Sequence, residues 1–517
     1  MQTQTPTAVE GFRFLGPSAA FLLAMLMLAG ARVNSGDWPQ YRGPQHNGTS
    51  TERIRVNWSA QGPRQLWKKP LPDGFSSFAV SQGRAYTGVK RQVAGNAMEV
   101  YLALDANTGA ELWARPVGPS PPGRGAGNGD GPRSTPSVDG EFVYVLSAYV
   151  SLFCLRASDG GIVWERDLLE EFGGEIPDFE AAASPLIVGD LVLVNGPAGG
   201  KGQRFFGLSK SDGRTVWELA SPKLTHSTPV LATLHGVRQA IFFTAGGAVA
   251  MIPESGQELW RYSYNVSVPT AIAPVIGEDT LYHSAGYSIG ARAARITKAG
   301  TTFRATEIWR KRDELINFWS TPVYHQGHVY GLYGHDYGLS APLKCIELAT
   351  GTEKWSEPNF GPGQVLLVDG KILLLTADGK LILAAPTPER YQELARFKAL
   401  SGTCWNAPAI SQGRIYARSN REGVCLDVSA APPSPLRLLA PARQPDGGLQ
   451  FHLQSHDGSL PAPERLGQLE VWRSTSLVDW TAVSNAVVSP DATIRVPPAE
   501  VDNAVPWRQF YRVREPQ

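Results

Sequence analysis

The sequence predicts an all-β protein: an eight-bladed β-propeller with four antiparallel strands per blade, followed by a small β-sandwich-like module. A strand that ends in a small turn and a tryptophan recurs at intervals of 42 to 53 residues. Between these marks lies a Ser/Thr/Ala-Pro step that leads into two alternating strands. No long segment shows the 3.6-residue periodicity of a helical repeat. This period and strand content are typical of a propeller blade.

Residues 1–31 have the features of a cleaved signal peptide. Arg13 supplies positive charge, residues 19–28 form a short apolar run, and residues 29–31 offer a small-residue cleavage site. The run is shorter than the roughly 20 apolar residues that a membrane span needs. No cysteine follows it that could carry a lipid. We therefore expect a periplasmic or secreted protein with no stable membrane span after cleavage.

The tryptophan of each repeat is predicted to fill the seam between adjacent blades. In the motif D-x-x-T-G-x-x-x-W the glycine supplies a turn position with positive φ, and the tryptophan has the apolar area that a seam requires. Phe397 marks a degenerate eighth copy. The tryptophans with this predicted structural role are Trp67, Trp113, Trp164, Trp217, Trp260, Trp309 and Trp355.

The eighth blade is predicted to be completed from the N-terminal side. The first blade starts near residues 76–80, and the last ends at residues 423–427 without its own outer strand and tryptophan. Residues 64–71, which carry Trp67, precede the first inner strand and belong to no blade. Pairing of this segment with the last blade would close the ring and remove the exposed edges of an open array.

After the propeller, predicted over residues 37–430, the composition changes. Residues 431–447 are rich in Pro and Ala and are predicted to be a linker. The alternating segments in residues 448–517 predict a small C-terminal β module. This module is expected either to serve in sorting, surface attachment or glycan contact, or to stabilise the propeller as a cap.

These repeats resemble the pyrroloquinoline-quinone-like (PQQ-like) propeller family. The resemblance rests on the D-x-x-T-G-x-x-x-W repeats after V-x-D-G-x-V-Y strands, and residues 37–44, DWPQYRGP, look like the leader of secreted bacterial members. The family includes quinoprotein dehydrogenases and the outer-membrane assembly lipoprotein BamB, so the resemblance implies a fold shared by enzymes and non-enzymes. This chain lacks the adjacent cysteine pair and haem motif of quinoprotein alcohol dehydrogenases, and it lacks BamB's lipid-modified cysteine.

The four cysteines are predicted to be small core residues. Cys154, Cys345 and Cys425 occupy the repeat position of Ala103, and a repeated small-residue position in a strand indicates core packing. Cys404 and Cys425 are the only pair expected to share a repeat, and spacing alone assigns no disulfide.

Residues just before the Pro-led inner strands are the best positional candidates for a ligand site, because ligands prefer concave mouths. An arginine there could pair with carboxylates, and tryptophans could stack on a planar anionic ligand. The alternative is that the tryptophans cap the core and the arginine is solvated. The candidates are Arg133, Glu180, His226, Asn317, Trp319, Trp405 and Asn406. No catalytic residue is assigned and no metal site is predicted.

The expected function is that of a non-enzymatic extracytoplasmic binding or scaffold protein, without a cofactor. Its partner would be an envelope or extracellular protein, a glycan or a small molecule. With 48 basic and 47 acidic residues, the chain has no charge excess for nucleic acid binding. The alternative is a divergent quinoprotein dehydrogenase that binds PQQ with calcium and oxidises an alcohol or a sugar. Glu180, Asp178 and Asp130 would then be the acids available near the mouth.

Overall fold

The computed structural model divides the chain into two compact units, residues 1–430 and 431–517. The predicted signal peptide and Asp130 lie outside the described residues. No helix in the described part is long and apolar enough to cross a membrane. The structure describes residues 36–58, 62–121, 131–176, 178–198, 202–266, 270–317, 319–334, 341–430, 436–455, 461, 466–467, 469–501 and 509–514.

The described residues of the first unit form eight antiparallel four-stranded sheets, one of which carries a fifth, parallel strand. Innermost strands of neighbouring sheets contact each other, as blades do around a propeller channel. The predicted all-β propeller fold is confirmed. From the inner to the outer strand, blades 1 to 4 are Ala79–Ser81, Arg84–Val93, Asn96–Asp105 and Glu111–Pro119; Ser137–Asp139, Phe142–Leu146, Ser151–Arg156 and Ile162–Asp167; Leu186–Val188, Leu191–Ala198, Gly202–Ser209 and Thr215–Ser221; and Val230–Leu234, Val237–Thr244, Gly247–Met251 and Glu258–Ser263.

The remaining four blades follow the same order. Blades 5 to 8 are Val275–Gly277, Thr280–Ala285, Gly290–Ala299 and Thr302–Lys311; Val323–His325, His328–Leu332, Leu343–Glu347 and Glu353–Glu357; Gly363–Val368, Lys371–Thr376, Lys380–Ala384 and Glu393–Lys398; and Ala409–Ser411, Arg414–Arg418, Glu422–Asp427 and Arg64–Pro70. A single short helix, Leu168–Phe172, follows blade 2 among the described residues of this unit. Asp167 caps it by accepting from the backbone N–H groups of Leu169 and Glu170.

Strand burial follows position within a blade. The middle strands are packed on both faces by neighbouring blades, so Lys371–Thr376 is buried from its second residue onward. The outer strand Thr215–Ser221 instead alternates between half-buried and exposed residues. A strand with both faces covered has a nearly continuous apolar sequence, whereas an outer strand keeps a polar face toward solvent.

The closing strand comes from the N-terminal side, as the repeat count predicts. Arg64–Pro70 pairs antiparallel with Glu422–Asp427, and Trp67 lies opposite Cys425. The predicted closure of the ring is confirmed.

The repeated tryptophans lie in the seams between blades, and five of the seven pack on the glycine of the next repeat: Trp67, Trp113, Trp164, Trp217 and Trp309. The indole N–H of Trp113 in blade 1 donates to the carbonyl oxygen of Ala157 in blade 2 at 2.9 Å. Gly160 has a φ of +69°, and a Cβ added to it would lie 2.7 Å from the Trp113 ring. The glycine of the motif therefore has two roles: it adopts the positive φ of the turn, and its lack of a side chain leaves room for the tryptophan of the preceding blade. Trp260 differs, since its N–H donates to Gln239 within its own blade.

The repeated small-residue position lies between two aromatic rings. Cys154 is opposite Trp164 on one neighbouring strand and opposite Tyr144 on the other, and the two rings are 6.0 Å apart. All four cysteines are free and buried. Burial raises the pKa of the Cys154 thiol to about 11 and that of Cys404 to about 12. The prediction that the cysteines are core residues is confirmed.

The described residues of the second unit form two small sheets on one apolar core that includes Phe451, Val471 and Ile494. A 3-10 turn, Pro498–Glu500, follows the strand Thr493–Val496. The prediction that residues 431–447 are only a linker is wrong in part. Leu436–Leu438 and Ala442–Arg443 pair with Leu449–Ser455, because the apolar residues in this Pro-rich stretch face the core. The strands are Leu436–Leu438, Ala442–Arg443, Leu449–Ser455, Glu470–Ser474, Thr481–Ala482, Val487–Val488, Thr493–Val496 and Phe510–Arg514.

Candidate functional site

Residues 36–58, here called the leader, pair with the inner strands of blades 1, 2 and 7, so these three strands are not open edges. Trp38 exchanges two 2.8 Å backbone hydrogen bonds with Val80 of blade 1, and the carbonyl oxygen of Pro39 accepts from the N–H of Val138 in blade 2. Farther along, the strand Thr49–Ser50 adds in parallel to the inner strand of blade 7. The leader therefore contacts the inner strands of blades 1, 2 and 7.

Arg42 anchors the leader to blade 6. Its guanidinium donates to the carbonyl oxygens of Thr321 at 3.0 Å, Pro322 at 2.7 Å and Asn47 at 2.9 Å. The residue is only 2% exposed, and burial lowers the pKa of Arg42 to about 10. It remains charged at neutral pH, so carbonyl dipoles replace the water that the cation has lost. No repeat contains this arginine, and sequence reasoning assigned it no role.

Hydroxyl groups of the Ser/Thr-Pro step link successive blades around the channel. The hydroxyl oxygen of the residue before proline, or of Ser77 before Phe78 in blade 1, accepts a hydrogen bond from the equivalent backbone N–H of the preceding blade. The repeated step therefore has a second function besides starting the inner strand: it fastens one blade to the next. The pairs are Ala407 to Ser77, Ser77 to Thr135, Thr135 to Ser184, Ser184 to Thr228 and Ala273 to Thr321, all between 2.9 and 3.0 Å.

Three blades have no such hydroxyl: blades 5 and 8 have Ala273 and Ala407 at this position, and blade 7 has Gln364. Its side-chain N–H group donates to the backbone carbonyl oxygens of Trp319 at 3.2 Å and Trp405 at 2.8 Å. One amide thus ties blades 6 and 8 together at the mouth. Gln364 is 3% exposed. Sequence reasoning missed it because blade 7 lacks the proline that marks the step elsewhere.

Three of the candidates come together at the mouth near blades 2 to 4. The guanidinium of Arg133 lies 3.7 Å from the carboxylate of Glu180, whose side chain is 8% exposed. Both ring nitrogens of His226 are buried. Burial lowers the pKa of His226 to about 4; the charge of Arg133 adds to this, and Asp178 opposes it. At neutral pH the cluster therefore holds one ion pair beside an uncharged imidazole.

The two candidate tryptophans form an aromatic group with Phe75. The ring centroids of Trp319 and Trp405 are 5.1 Å apart, and Phe75 stacks on Trp405 at 5.0 Å. Phe75 therefore occupies one face of Trp405, and Trp319 packs against the same ring at an angle of 43°. Both tryptophans remain only partly buried, so their outer edges reach the surface of the mouth.

The two asparagines differ from the other candidates because their amides serve the fold. Asn317 is 0% exposed; its side-chain oxygen accepts from the Tyr282 hydroxyl and its N–H group donates to the Leu332 carbonyl oxygen, both at 2.7 Å. Asn406 donates to the carbonyl oxygen of Ser76 at 3.4 Å across the blade 8 to blade 1 seam. We therefore leave both out of the ligand-contacting set.

A quinone site does not fit this arrangement. A planar quinone needs an open aromatic face, but Phe75 already stacks on Trp405 and Trp319 packs against the same ring. A calcium ion needs several oxygen ligands, and Glu180, the nearest candidate, already pairs with Arg133. No group of three or more His, Cys, Asp or Glu side chains within the described residues is arranged to hold a metal ion.

Known proteins share this architecture. The model of the family described as outer membrane protein assembly factor BamB matches residues 96–357. BamB of Yersinia pestis is 21% identical over 327 residues, which cover 62% of this chain and 67% of that protein. BamB from Moraxella catarrhalis aligns with a TM-score of 0.51 at 16% identity, over 71% of this chain and 99% of its own. Quinohemoprotein alcohol dehydrogenase from Comamonas testosteroni aligns with a TM-score of 0.55 at 14% identity, over 82% and 86%. At such identities a structural likeness shows the fold alone.

Proposed function

This chain belongs to the family described as outer membrane protein assembly factor BamB, and on that premise we propose that it is a protein-binding scaffold outside the cytoplasm. The signal-peptide features of residues 1–31 support this location. The partner we propose is another protein of the cell envelope, since the names of its relatives refer to an assembly factor.

The observation that carries this proposal is the course of the leader. It uses the inner edges of blades 1, 2 and 7 and buries Arg42 against blade 6. The leader thus covers these inner edges, and we place the partner at the mouth, where Arg133, Glu180 and the two candidate tryptophans lie. A broad mouth suits a protein partner, whereas small ligands favour a deep concave pocket.

The mouth also has the chemistry of a protein interface. Arginine and aromatic residues are enriched where proteins bind each other, with charged groups at the rim. Here Arg133 with Glu180 supplies a partly buried ion pair, and the edges of Trp319 and Trp405 supply apolar contact area. The neutral His226 adds no charge that would have to be desolvated on binding.

Site-specific photo-crosslinking tests the scaffold role. A benzoylphenylalanine placed at Trp319, which it resembles in bulk, is expected to give one dominant adduct with an envelope protein. The same residue placed at Arg304, an exposed position on the outer strand of blade 5, is the matched control and is expected to give none. Arg133→Glu is expected to abolish the Trp319 adduct. Adduct formation that is equal at both positions, or unchanged by Arg133→Glu, would refute the mouth as the binding surface.

A titration with PQQ and calcium tests the enzymatic alternative on the same purified chain. We expect no quinone absorbance to be retained after desalting and no reduction of an artificial electron acceptor with alcohols or sugars. Retained cofactor together with turnover would overturn the proposed non-enzymatic role.

A further inference from the structure

A cleft of about 460 Å³ lies between residues 36–38 and 44–52 of the leader, beside a turn of blade 8. Ser81, which bonds to Asp37 in this cleft, is the last residue of the inner strand of blade 1. The mouth candidates instead precede the inner strands, so the cleft lies at the opposite end of these strands. We call it the leader cleft, and its lining includes Asp37, Pro44, Gln45, Thr51, Glu52 and Gln412.

Two carboxylates of the leader cleft lie close together. The backbone N–H of Gly413 donates to Oε2 of Glu52 at 2.6 Å. The other oxygen, Oε1, lies 3.6 Å from the point that a Cβ on Gly36 would occupy, and Gly36 directly precedes Asp37. Burial raises the pKa of Glu52 and the charge of Asp37 adds to this, while the backbone N–H groups of Gly413 and Gln412 oppose it. The two negative charges therefore repel each other.

Asp37 has an oxygen without a donor, although the residue is only 6% exposed. Its Oδ2 accepts from the Ser81 hydroxyl at 2.7 Å, whereas Oδ1 accepts from no group in the described part of the chain. Neither Asp37 nor Glu52 forms an ion pair with a Lys, Arg or His side chain of those residues. A buried charge is normally paired, because its removal from water costs free energy. The negative charge of the leader cleft is thus not balanced by the protein itself.

We propose that the leader cleft binds a small primary amine, whose ammonium group lies between Asp37 and Glu52. An ammonium group has three N–H donors and no acceptor. Oδ1 of Asp37 and Oε1 of Glu52 accept two of them, and the side-chain amide oxygen of Gln412 accepts the third. The aliphatic chain of the amine contacts Pro44, which is exposed at the same cleft.

An organic cation fits this cleft better than a metal ion does. Calcium requires roughly six to eight oxygens converging on one point. No third carboxylate or imidazole joins Asp37 and Glu52 to make a metal site among the described residues. A cleft of about 460 Å³ also has the size of a small-molecule site.

The ligand is tested with three probes of similar size on the purified full-length chain, by isothermal titration calorimetry. Butylamine is expected to bind at least about tenfold more tightly than butanol, which lacks the charge, and than tetramethylammonium, which lacks N–H donors. Acetyl-lysine methylamide distinguishes the source of the amine: tighter binding than that of butylamine supports a lysine side chain, and weaker binding supports a free amine. Equal binding of butylamine and butanol, or tighter binding of calcium than of butylamine, would overturn the proposal.

Two nearly isosteric substitutions test the carboxylates. Asp37→Asn and Glu52→Gln are each expected to weaken butylamine binding about tenfold or more, because they remove charge but keep the oxygens that accept from Ser81 and Gly413. Glu165→Gln, at an exposed position on the outer strand of blade 2, is the matched control and should leave binding unchanged.

Thermal denaturation separates a ligand site from a structural role of Glu52. Without amine, Glu52→Gln is expected to raise the thermal midpoint, because it relieves the repulsion from Asp37. Butylamine should raise the midpoint of the wild-type chain and leave that of Glu52→Gln unchanged. A lower midpoint of Glu52→Gln together with undiminished butylamine binding would refute the site. Since the leader cleft shares no residue with the mouth, that result would leave the proposed scaffold role untouched.

Discussion

The Arg418 guanidinium donates a 2.6 Å hydrogen bond to the carbonyl oxygen of Gly88, which joins the last blade to the first. It also donates to the Thr87 hydroxyl at 2.9 Å and the Pro72 carbonyl oxygen at 2.9 Å. Arg418 is 1% exposed, and burial lowers the pKa of Arg418 to about 10. The ring closure thus depends on a charged side chain as well as on the shared sheet of blade 8.

Replacing this arginine should weaken the seam. Arg418→Met keeps the apolar stem but leaves the Gly88 and Pro72 carbonyl oxygens unsatisfied, so we expect the free energy of unfolding to fall by about 3 kcal/mol. Urea denaturation followed by tryptophan fluorescence measures it. Arg304→Met, at an exposed position, is the control and should change stability by less than about 0.5 kcal/mol. An equal effect of both substitutions would refute the seam role of Arg418.

Substitutions at two glycines distinguish the loss of stability caused by backbone strain from the loss caused by disturbing tryptophan packing. Gly83 has a φ of +74° and no heavy atom within 4 Å of an added Cβ, whereas Gly160 has a φ of +69° and the Trp113 ring at 2.7 Å. Gly83→Ala should therefore cost only the backbone strain of about 1–2 kcal/mol. Gly160→Ala should lower the free energy of unfolding by about 1–3 kcal/mol more, because the added methyl group overpacks against the Trp113 ring. Similar thermal midpoints for the two variants would contradict the docking role of Gly160.

The buried imidazole at the mouth predicts a pH dependence. The pKa of His226 is lowered from 6.5 to about 4 by burial, so the unfolded chain takes up its proton before the folded protein does. Its contribution to stability is present above pH 6.5 and is lost as the pH falls toward about 4. The free energy of unfolding of the wild-type chain should therefore fall more steeply across this window than that of His226→Gln. If the free energy of unfolding depended on pH equally in the two proteins, the lowered pKa of His226 would be refuted.

The leader should loosen when its anchor is removed. Arg42→Met abolishes the hydrogen bonds to Thr321 and Pro322, so amide hydrogen exchange in residues 36–50 should accelerate while the strands of blade 3 keep their protection. Arg55→Met is the matched control, because Arg55 is exposed and makes one long 3.3 Å bond to the Asp427 carbonyl oxygen. Unchanged exchange in the Arg42 variant would mean that strand pairing alone holds the leader.

Features that repeat could be predicted from the sequence, and features that occur once could not. The partner of Trp67 followed from the repeats because the last blade lacked an outer strand and one unassigned segment could supply it. The seam tryptophans followed from their apolar area and spacing. Arg42 and Gln364 break the repeat pattern, so no alignment of the chain with itself could reveal their contacts.

The candidate site shows the same limit at the level of single side chains. Position before an inner strand placed Arg133, Glu180 and His226 at the mouth, but their pairing depends on how neighbouring blades are set against each other. The same rule selected Asn317, whose amide is directed into the fold toward Tyr282. Repeat position predicts where a residue lies along the ring, while the direction of its side chain depends on packing that the pattern does not encode.

The strand that closes the ring, Arg64–Pro70, is the first blade strand to be synthesised, and its partner is the last. Arg64–Pro70 must wait for Glu422–Asp427, which is synthesised about 350 residues later; at about 5–20 residues per second, that is roughly half a minute. During this interval the strand has no partner within its own chain. Two incomplete chains that meet can then exchange their closing strands and form a domain-swapped dimer. Slower synthesis of the chain lengthens the interval in which such a dimer can form. The yield of monomer is therefore expected to depend on the rate of synthesis as well as on the stability of the closed ring.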